Sequence, residues 1–147
     1  MNPNILPSKR AVIATRIDPV SQAAGTVTTG WVSMATFDEI LATVQAGAFG
    51  VSATVDAKLQ QATDATGTGV KDIVGKAITQ LTAAANANNQ ALINCRSDEL
   101  DVANGFAFVR LSITVGTAAT LIAALVQGFD ARYQPQAAAS TVAQTVN

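Results

Sequence analysis

The residue types that most often perform catalysis or bind metals are scarce in this 147-residue chain. It contains no histidine and a single cysteine, Cys95. Histidine is the usual general base near neutral pH and a common metal ligand, and one cysteine forms neither an intrachain disulfide nor a thiolate cluster. Cys95 lies in an apolar segment and is expected to be an inert buried thiol. We therefore predict no catalytic residues, no metal site and no cofactor, and a protein that is not an enzyme.

One glycine–lysine pair invites comparison with a phosphate-binding loop. Gly75 and Lys76 have the required order, but Gly69 lies one residue too far upstream for the motif. Ala77 also stands where a serine or threonine would hold magnesium. The segment is therefore interpreted as a surface turn.

The carboxylates do not form a recognisable site. Asp98, Glu99 and Asp101 supply oxygen ligands, but they lack the alternation and the turn glycine of a calcium loop, so a solvated corner is expected. A glycosidase needs two carboxyls at a fixed separation across a cleft. Asp56 falls on the polar side of a predicted strand and Asp64 in a predicted turn, so both are interpreted as surface charges.

Six residues are candidates for contacts with other proteins. Arg110 lies in the middle of an apolar strand, and it either projects to solvent or pairs with a carboxylate of a neighbouring subunit. Trp31 and Tyr133 are the only tryptophan and tyrosine, and each suits a packing role, an interface anchor or a sugar-stacking platform. The predicted interface residues are Arg10, Trp31, Arg110, Tyr133, Gln134 and Pro135.

The hydrophobic pattern predicts strands as the elements that position these residues. Residues 54–61 and 106–115 alternate between apolar and polar side chains, which is typical of strands with one solvated face. Between them, residues 62–69 contain two glycines and an aspartate, which favour a turn leading into a strand over 70–74. Other segments with strand character are 11–17, 27–34, 91–96 and 121–127.

Residues 36–45 fit two structures. Their first four residues, TFDE, match a helix capping box, and apolar residues follow at helical spacing. The segment nevertheless lies between strand candidates and is followed by Gly47 and Gly50, which favours a strand over 39–46. Residues 81–90 are interpreted as a loop.

About eight short strands separated by turns predict an all-β fold, an antiparallel β-sandwich of jelly-roll-like form. The length fits one domain, which we place at 11–133, with an extended N-terminal arm at 1–10 and an extended C-terminal tail at 134–147. Hydrophobic residues make up 49% of the chain but aromatics only 5%, so a core of small residues is expected. The termini are expected to pack on their own domain or to be held by neighbouring copies.

The charge content limits the partners. Only 13% of residues are charged and the net charge is −1, so no basic stripe for nucleic acid is present. The chain has no apolar run long enough for a signal peptide or a membrane span, so a protein made in a cytoplasm and without membrane contact is expected. The low charge content also suits a surface that other protein covers.

Three motifs carry a resemblance to a known class of proteins. They are the strand with alternating Asp and Lys at 54–61, the Thr-Asp-x-Thr-Gly turn at 63–67, and the aromatic-rich strand with Val-Arg-Leu at 109–111. Over about 31–133 the chain resembles small β-sandwich proteins encoded in the structural gene block of tailed bacteriophages and prophages. The resemblance implies a virion location, assembly with the major capsid protein or other virion proteins, and a homo-oligomer in the particle. It brings no catalytic residues.

Within this class, the resemblance implies most directly a capsid decoration (cement) protein, which stabilises the shell by bridging capsid subunits. A head–tail connector, neck or tail component is the nearest alternative. A carbohydrate-binding module for host recognition, with Trp31 or Tyr133 as the stacking platform, is the alternative from a different functional class.

Overall fold

The protein is a β-sandwich of two antiparallel sheets in a computed structural model that describes residues 5–133 and 136–146. The strands are β1 (Val12–Gln22), β2 (Gly25–Thr28), β3 (Val32–Ser33), β4 (Phe37–Phe49), β5 (Thr54–Ala62), β6 (Lys71–Ala77), β7 (Leu81–Thr82), β8 (Gln90–Arg96), β9 (Phe108–Gly116) and β10 (Thr120–Ala131). Sheet A has the order β1-β10-β4-β8. Sheet B has the order β2-β9-β5-β6, with β3 also paired to β9 and β7 to β5. The predicted all-β sandwich is thus confirmed.

Alternation along the strands places the core between the two sheets. In β5 and β9 the residue pairs Ala57–Ile113 and Leu59–Leu111 lie opposite each other and are buried. Their neighbours in sequence point outward, as the period of two requires. The buried residues form one cluster of mostly aliphatic side chains, and Phe37 is its one aromatic member among the described residues. Phe37 packs directly against Gly128, where any side chain would collide with the ring.

The segment with two possible structures is a strand. Residues 37–49 form β4, whose side chains alternate between buried and exposed positions. It is a central strand of sheet A, paired on both sides with β10 and β8. Tertiary pairing therefore outweighs the local capping-box signal, and the helical alternative is wrong.

Three other details differ from the sequence expectations. The described residues form ten strands instead of about eight short ones, and three of these are long: β1, β4 and β10 contain 11, 13 and 12 residues. The strand predicted at 27–34 is divided into β2 and β3, and between them the Thr29 hydroxyl accepts a hydrogen bond from the backbone N–H of Leu111. The loop at 81–90 begins with the two-residue strand β7 and ends at the first residue of β8.

The described parts of both termini lie on their own domain. Pro7–Arg10 form one helical turn, α1, so this part of the predicted N-terminal arm is not extended. Proline at the start of a helix has its φ already set, which favours the turn. Ala139 in the tail donates its backbone N–H to the carbonyl of Ile13 in β1, at 2.9 Å. Tail residues 138 and 142 also border one cavity together with α1, Ile13 and Gln127.

Candidate interaction surfaces

The acidic residues of the corner after β8 are engaged in ion pairs within the chain. Glu99 accepts hydrogen bonds from Lys76 Nζ and from the backbone N–H of Arg96, both at 2.8 Å. Asp101 pairs with Lys71, and the pairing lowers the pKa of its carboxyl. Within residues 5–133 and 136–146, no three acidic, cysteine or histidine side chains group as a metal site would require.

Asp56 and Asp64 have separate structural partners. Asp64 accepts hydrogen bonds from the backbone N–H groups of Thr68 and Thr66 and from the Thr66 hydroxyl. These hydrogen bonds hold the pKa of Asp64 far below its usual range, and the largest contribution comes from Thr68. The same bonds fix the turn at 62–69. Asp56 accepts from Gln80 Nε2 at 2.8 Å. Each carboxylate therefore stabilises a local structure.

Cys95 is buried on the core side of β8. Burial disfavours the thiolate and raises the pKa of the thiol to about 11. A nucleophilic cysteine needs the opposite shift. The expected burial of the thiol is therefore observed, and its low reactivity stays a prediction.

The outer side of sheet B carries a connected set of polar groups. We call the outward side chains of β5 and β9 the polar face; they are Asp56, Lys58, Gln60, Arg110 and Thr114. Arg110 Nε donates to Gln60 Oε1 at 3.0 Å, and Gln60 Nε2 donates to Asp72 Oδ1 at 3.0 Å. Lys58 Nζ donates to Asp72 Oδ2 at 2.7 Å, which completes the series of hydrogen bonds. Lys58 and Gln60 together lower the pKa of the Asp72 carboxyl. Charges on this face thus have intrachain partners and suit contact with water.

Trp31 packs against this polar network. The guanidinium carbon of Arg110 lies 4.7 Å from the centroid of the Trp31 ring. On another side, a side chain at Gly67 would come within 3.0 Å of Trp31 Nε1. Trp31 is half-buried between Arg110 and the 62–69 turn, and this is a packing role. Arg110 projects from the outer face, the first of its two predicted positions, and a contact with a neighbouring subunit stays a prediction.

The remaining predicted interface residues lie near the two termini. Tyr133 follows β10 and is 83% exposed. Arg10 is half-buried at the end of α1. Gln134 and Pro135 lie outside the described residues. These residues, too, stay predictions as interface contacts.

The outer side of sheet A carries a group of apolar side chains among mostly neutral polar ones. We call this surface the apolar face and define it by Leu41, Leu92, Leu121, Ala123 and Leu125. The strand register aligns Leu125 with Thr43 and Thr43 with Leu92, so these residues form one row across three strands. Leu92, Leu121 and Leu125 are 60%, 48% and 39% exposed. An exposed contiguous apolar surface of this kind is typical of an interaction site.

Charged groups lie only at the margin of this side of sheet A. The charged residues in the described strands of this sheet lie near strand ends or on the edge strand: Arg16 and Asp18 on β1, Asp38 and Glu39 on β4, Arg96 on β8 and Asp130 on β10. Arg16 is on the edge strand β1 and pairs with Asp18. Glu39 and Arg96 lie opposite each other at the far end of β4 and β8. The centre of the apolar face therefore has no charge that burial would leave unpaired.

A groove of about 550 Å³ runs along one end of the apolar face. Val20, Leu121 and Ala123 supply apolar lining, and Gln45 and Gln90 contribute carboxamides at the sides. Neutral amides both donate and accept hydrogen bonds, so they suit contact with the backbone or side chains of another protein. The opposite end of sheet A borders the chain's own tail and α1.

Sequence reasoning placed strands in these segments but missed the exposed face. The available signal was segment 121–127, which is apolar at odd and even positions alike, together with Leu92 on the otherwise polar side of 91–96. Continuous apolar strands are typical of sheets that are covered on both faces. In the isolated chain, only one face of these strands is covered.

No protein-family model and no curated protein matches the chain. Among solved structures, it is similar to a chain in the empty virus-like particle of cowpea mosaic virus, determined by electron cryo-microscopy. The two share 12% sequence identity with a TM-score of 0.40, over 88% of this chain and 83% of the other. Separately, no helix among the described residues is long and apolar enough to cross a membrane.

Proposed function

We propose that this protein is a non-enzymatic structural component of a virus particle, specifically a decoration (cement) protein on the capsid of a tailed bacteriophage. The observation that carries the proposal is the apolar face, where three exposed leucines surround an uncharged centre. The resemblance of residues 31–133 to small phage structural proteins gives the class of assembly. The major capsid protein is the proposed partner of this face.

The difference between the two outer faces supports an orientation in the assembly. The apolar face gains by burial, because removing apolar surface from water contributes about 25 cal/mol per Å². Burying ~200 Å² of leucine surface would give a gross contribution of ~5 kcal/mol per copy, from which the cost of association is subtracted. The charged groups of the polar face already have hydrogen-bond partners within the chain, and burying them would cost desolvation. The proposed position therefore has sheet A toward the capsid and sheet B toward solvent.

The mechanism is the addition of contacts across joints between capsid subunits. A rigid sandwich holds the apolar face in a fixed shape, so little conformational entropy is lost on binding. Pressure inside the shell must then break these added contacts before the shell opens. Repetition over many joints turns a modest interface into a large total stabilisation.

A reconstitution assay tests the proposal. Particles depleted of this protein are supplied with the wild-type chain, with Leu125→Asp, or with Thr28→Asp as a control on the exposed outer side of sheet B. Both variants add the same charge to an outward strand position. Wild type and Thr28→Asp should raise the temperature at which particles release their DNA, and Leu125→Asp should not. Equal stabilisation by all three proteins would refute the role of the apolar face.

Sugar binding is the competing function, and the contacts of Trp31 do not support it. One face of the indole is occupied by Arg110, and its edge packs on Gly67. A stacking platform needs an open ring face. Tyr133 is 83% exposed and is the remaining candidate platform, but one aromatic ring alone forms a thin sugar site. A glycan array should show no saturable binding, and a saturable sugar would favour the recognition module instead.

A further inference from the structure

Strand β8 forms one margin of sheet A. Within the described chain it pairs with β4 alone, in an unbroken register from Glu39–Arg96 to Gln45–Gln90. A strand paired on one side directs alternate backbone N–H and C=O groups outward on the other side. Such an edge is a template for another strand.

The other margins of the sandwich carry features that oppose strand addition. β1 has two register shifts and contains Pro19, and the tail residue Ala139 already donates to it at Ile13. β6 has a register shift against β5 and contains Gly75 at a φ of +76°. β2 has only four residues. Bulges, prolines, short length and a covering segment are the usual means of blocking an edge.

β8 has none of these features. Its sequence QALINCR contains no proline and no lysine, and its pairing with β4 shows no bulge. The one charged residue, Arg96, is the last of the strand and pairs with Asp98. Gln90, Leu92 and Asn94 are exposed on the outward side. The backbone N–H of Arg96 is bonded to Glu99, so the regular and uncharged edge that is available to another strand is Gln90–Cys95.

We propose that β8 pairs antiparallel with β8 of a second copy of this chain, so that sheet A continues across a two-fold axis. Pairing centred on Ile93 would place Leu92 opposite Asn94 of the second copy and Gln90 opposite its Arg96. No like charges then face each other, which is the charge compatibility that a self-pairing strand needs. Ile93 and Cys95 stay on the core side.

The second copy fits better than an unrelated partner for a geometric reason. The two-fold axis is perpendicular to the continuous sheet, so the apolar faces of both copies lie on the same side of it. The pair therefore presents twice the apolar area in one surface. Backbone hydrogen bonds hold the pair, so the leucines of the apolar face stay available. This inference depends on the fold and goes beyond the proposed location in a virion.

Sedimentation equilibrium of the full chain tests the pairing, over about 1–500 µM, the range in which modest interfaces dissociate. The matched variants are Leu92→Lys on β8 and Leu121→Lys on β10, since both change an exposed outward leucine of sheet A. Circular dichroism confirms that each variant is folded. Wild type and Leu121→Lys should form dimers with equal affinity. Leu92→Lys should dimerise about tenfold more weakly, because a two-fold interface contains the changed position twice.

Hydrogen exchange gives the second measurement. Amides within 90–96 should exchange more slowly as the concentration of wild type increases, while amides of β6 should not change. A monomer at every concentration would overturn the proposal, as would a dimer that both variants weaken equally. A wild-type dimer that is absent from virus particles would refute the proposed function and leave this pairing intact.

Discussion

The guanidinium of Arg110 stacks on the indole ring of Trp31, with 4.7 Å between the guanidinium carbon and the ring centroid. The two residues come from distant parts of the sequence and meet on the outer side of sheet B. Arg110 is further held by Gln60, and Trp31 by the turn at Gly67. This arrangement joins the strand β9 to the 62–69 turn.

The first prediction concerns this stacking. A cation–π contact at a partly exposed position contributes about 0.5–1 kcal/mol. Arg110→Met keeps much of the aliphatic stem but removes the cation and its bond to Gln60, so it should lower the free energy of unfolding by about 1 kcal/mol. A double-mutant cycle with Trp31→Leu, measured by urea denaturation, should give a coupling energy of about 0.5–1 kcal/mol. Strict additivity of the two changes would contradict the contact.

The second prediction separates backbone strain from the contact with Trp31. Gly67 and Gly75 both have positive φ, at +90° and +76°, but only Gly67 has atoms within 4 Å of an added side chain. Alanine at either position should cost about 1–2 kcal/mol of strain. Gly67→Ala should cost more than Gly75→Ala, since it also displaces the indole ring. Thermal unfolding measures both variants, and equal losses would contradict the packing of Trp31 on the turn.

The third prediction concerns acid stability. The pKa of Asp64 is lower in the folded protein than its unfolded value of about 4, because Thr68 and Thr66 donate to the carboxylate. The resulting stabilisation is fully present above that unfolded value and is lost as the pH falls toward the lower folded value. The free energy of unfolding should therefore decrease below about pH 4, and Asp64→Asn should decrease less steeply. Parallel pH profiles for the two proteins would contradict the role of Asp64.

The fourth prediction concerns Cys95. Its burial and its pKa of about 11 leave very little thiolate at neutral pH. An aromatic disulfide reagent should therefore modify the native protein only as fast as the protein opens, and modify the urea-unfolded chain at once. Rapid modification of the native protein at pH 7 would show that the core side of β8 is accessible.

The fifth prediction concerns the tail. Deleting residues 134–147 removes the bond from Ala139 to Ile13 but no strand of the sandwich. The remaining domain should stay folded, with an unchanged circular dichroism spectrum. Its incorporation into particles should decrease if the tail carries assembly contacts. Unchanged incorporation, measured by the protein content of purified particles, would show that the tail only covers its own β1.

The sequence predicted the strands with one solvated face most accurately. In β5 the buried positions Val55, Ala57 and Leu59 are those that the alternation indicates. The secondary structure of residues 37–49 was harder to predict. The capping box is a local signal, whereas the strands β10 and β8, whose pairing makes this segment a strand, lie elsewhere in the sequence. Side chains that act at long range were not predictable. Gln61, for example, is buried and accepts the backbone N–H of Asp101, forty residues later.

The surface was less predictable than the core for the same reason. Arginine is a residue type that often anchors interfaces, which is why Arg110 was a candidate. Its partners Trp31 and Gln60 come together only in the folded sandwich. Leu92 and Leu125 lie in segments for which only strand character was predicted, 91–96 and 121–127, so their exposure was not foreseen. Burial on one side and exposure on the other follow from the pairing of sheet A, which no local pattern specifies.

Electron cryo-microscopy of intact phage particles, with this chain located and its copies counted, tests the central claim most directly. The account predicts on the order of hundreds of copies across the shell, each with the apolar face of sheet A against capsid subunits. A single ring of about six or twelve copies at one vertex would make it a neck or tail component instead. Absence from the particle, or a capsid contact made by the polar face of sheet B, would contradict the account.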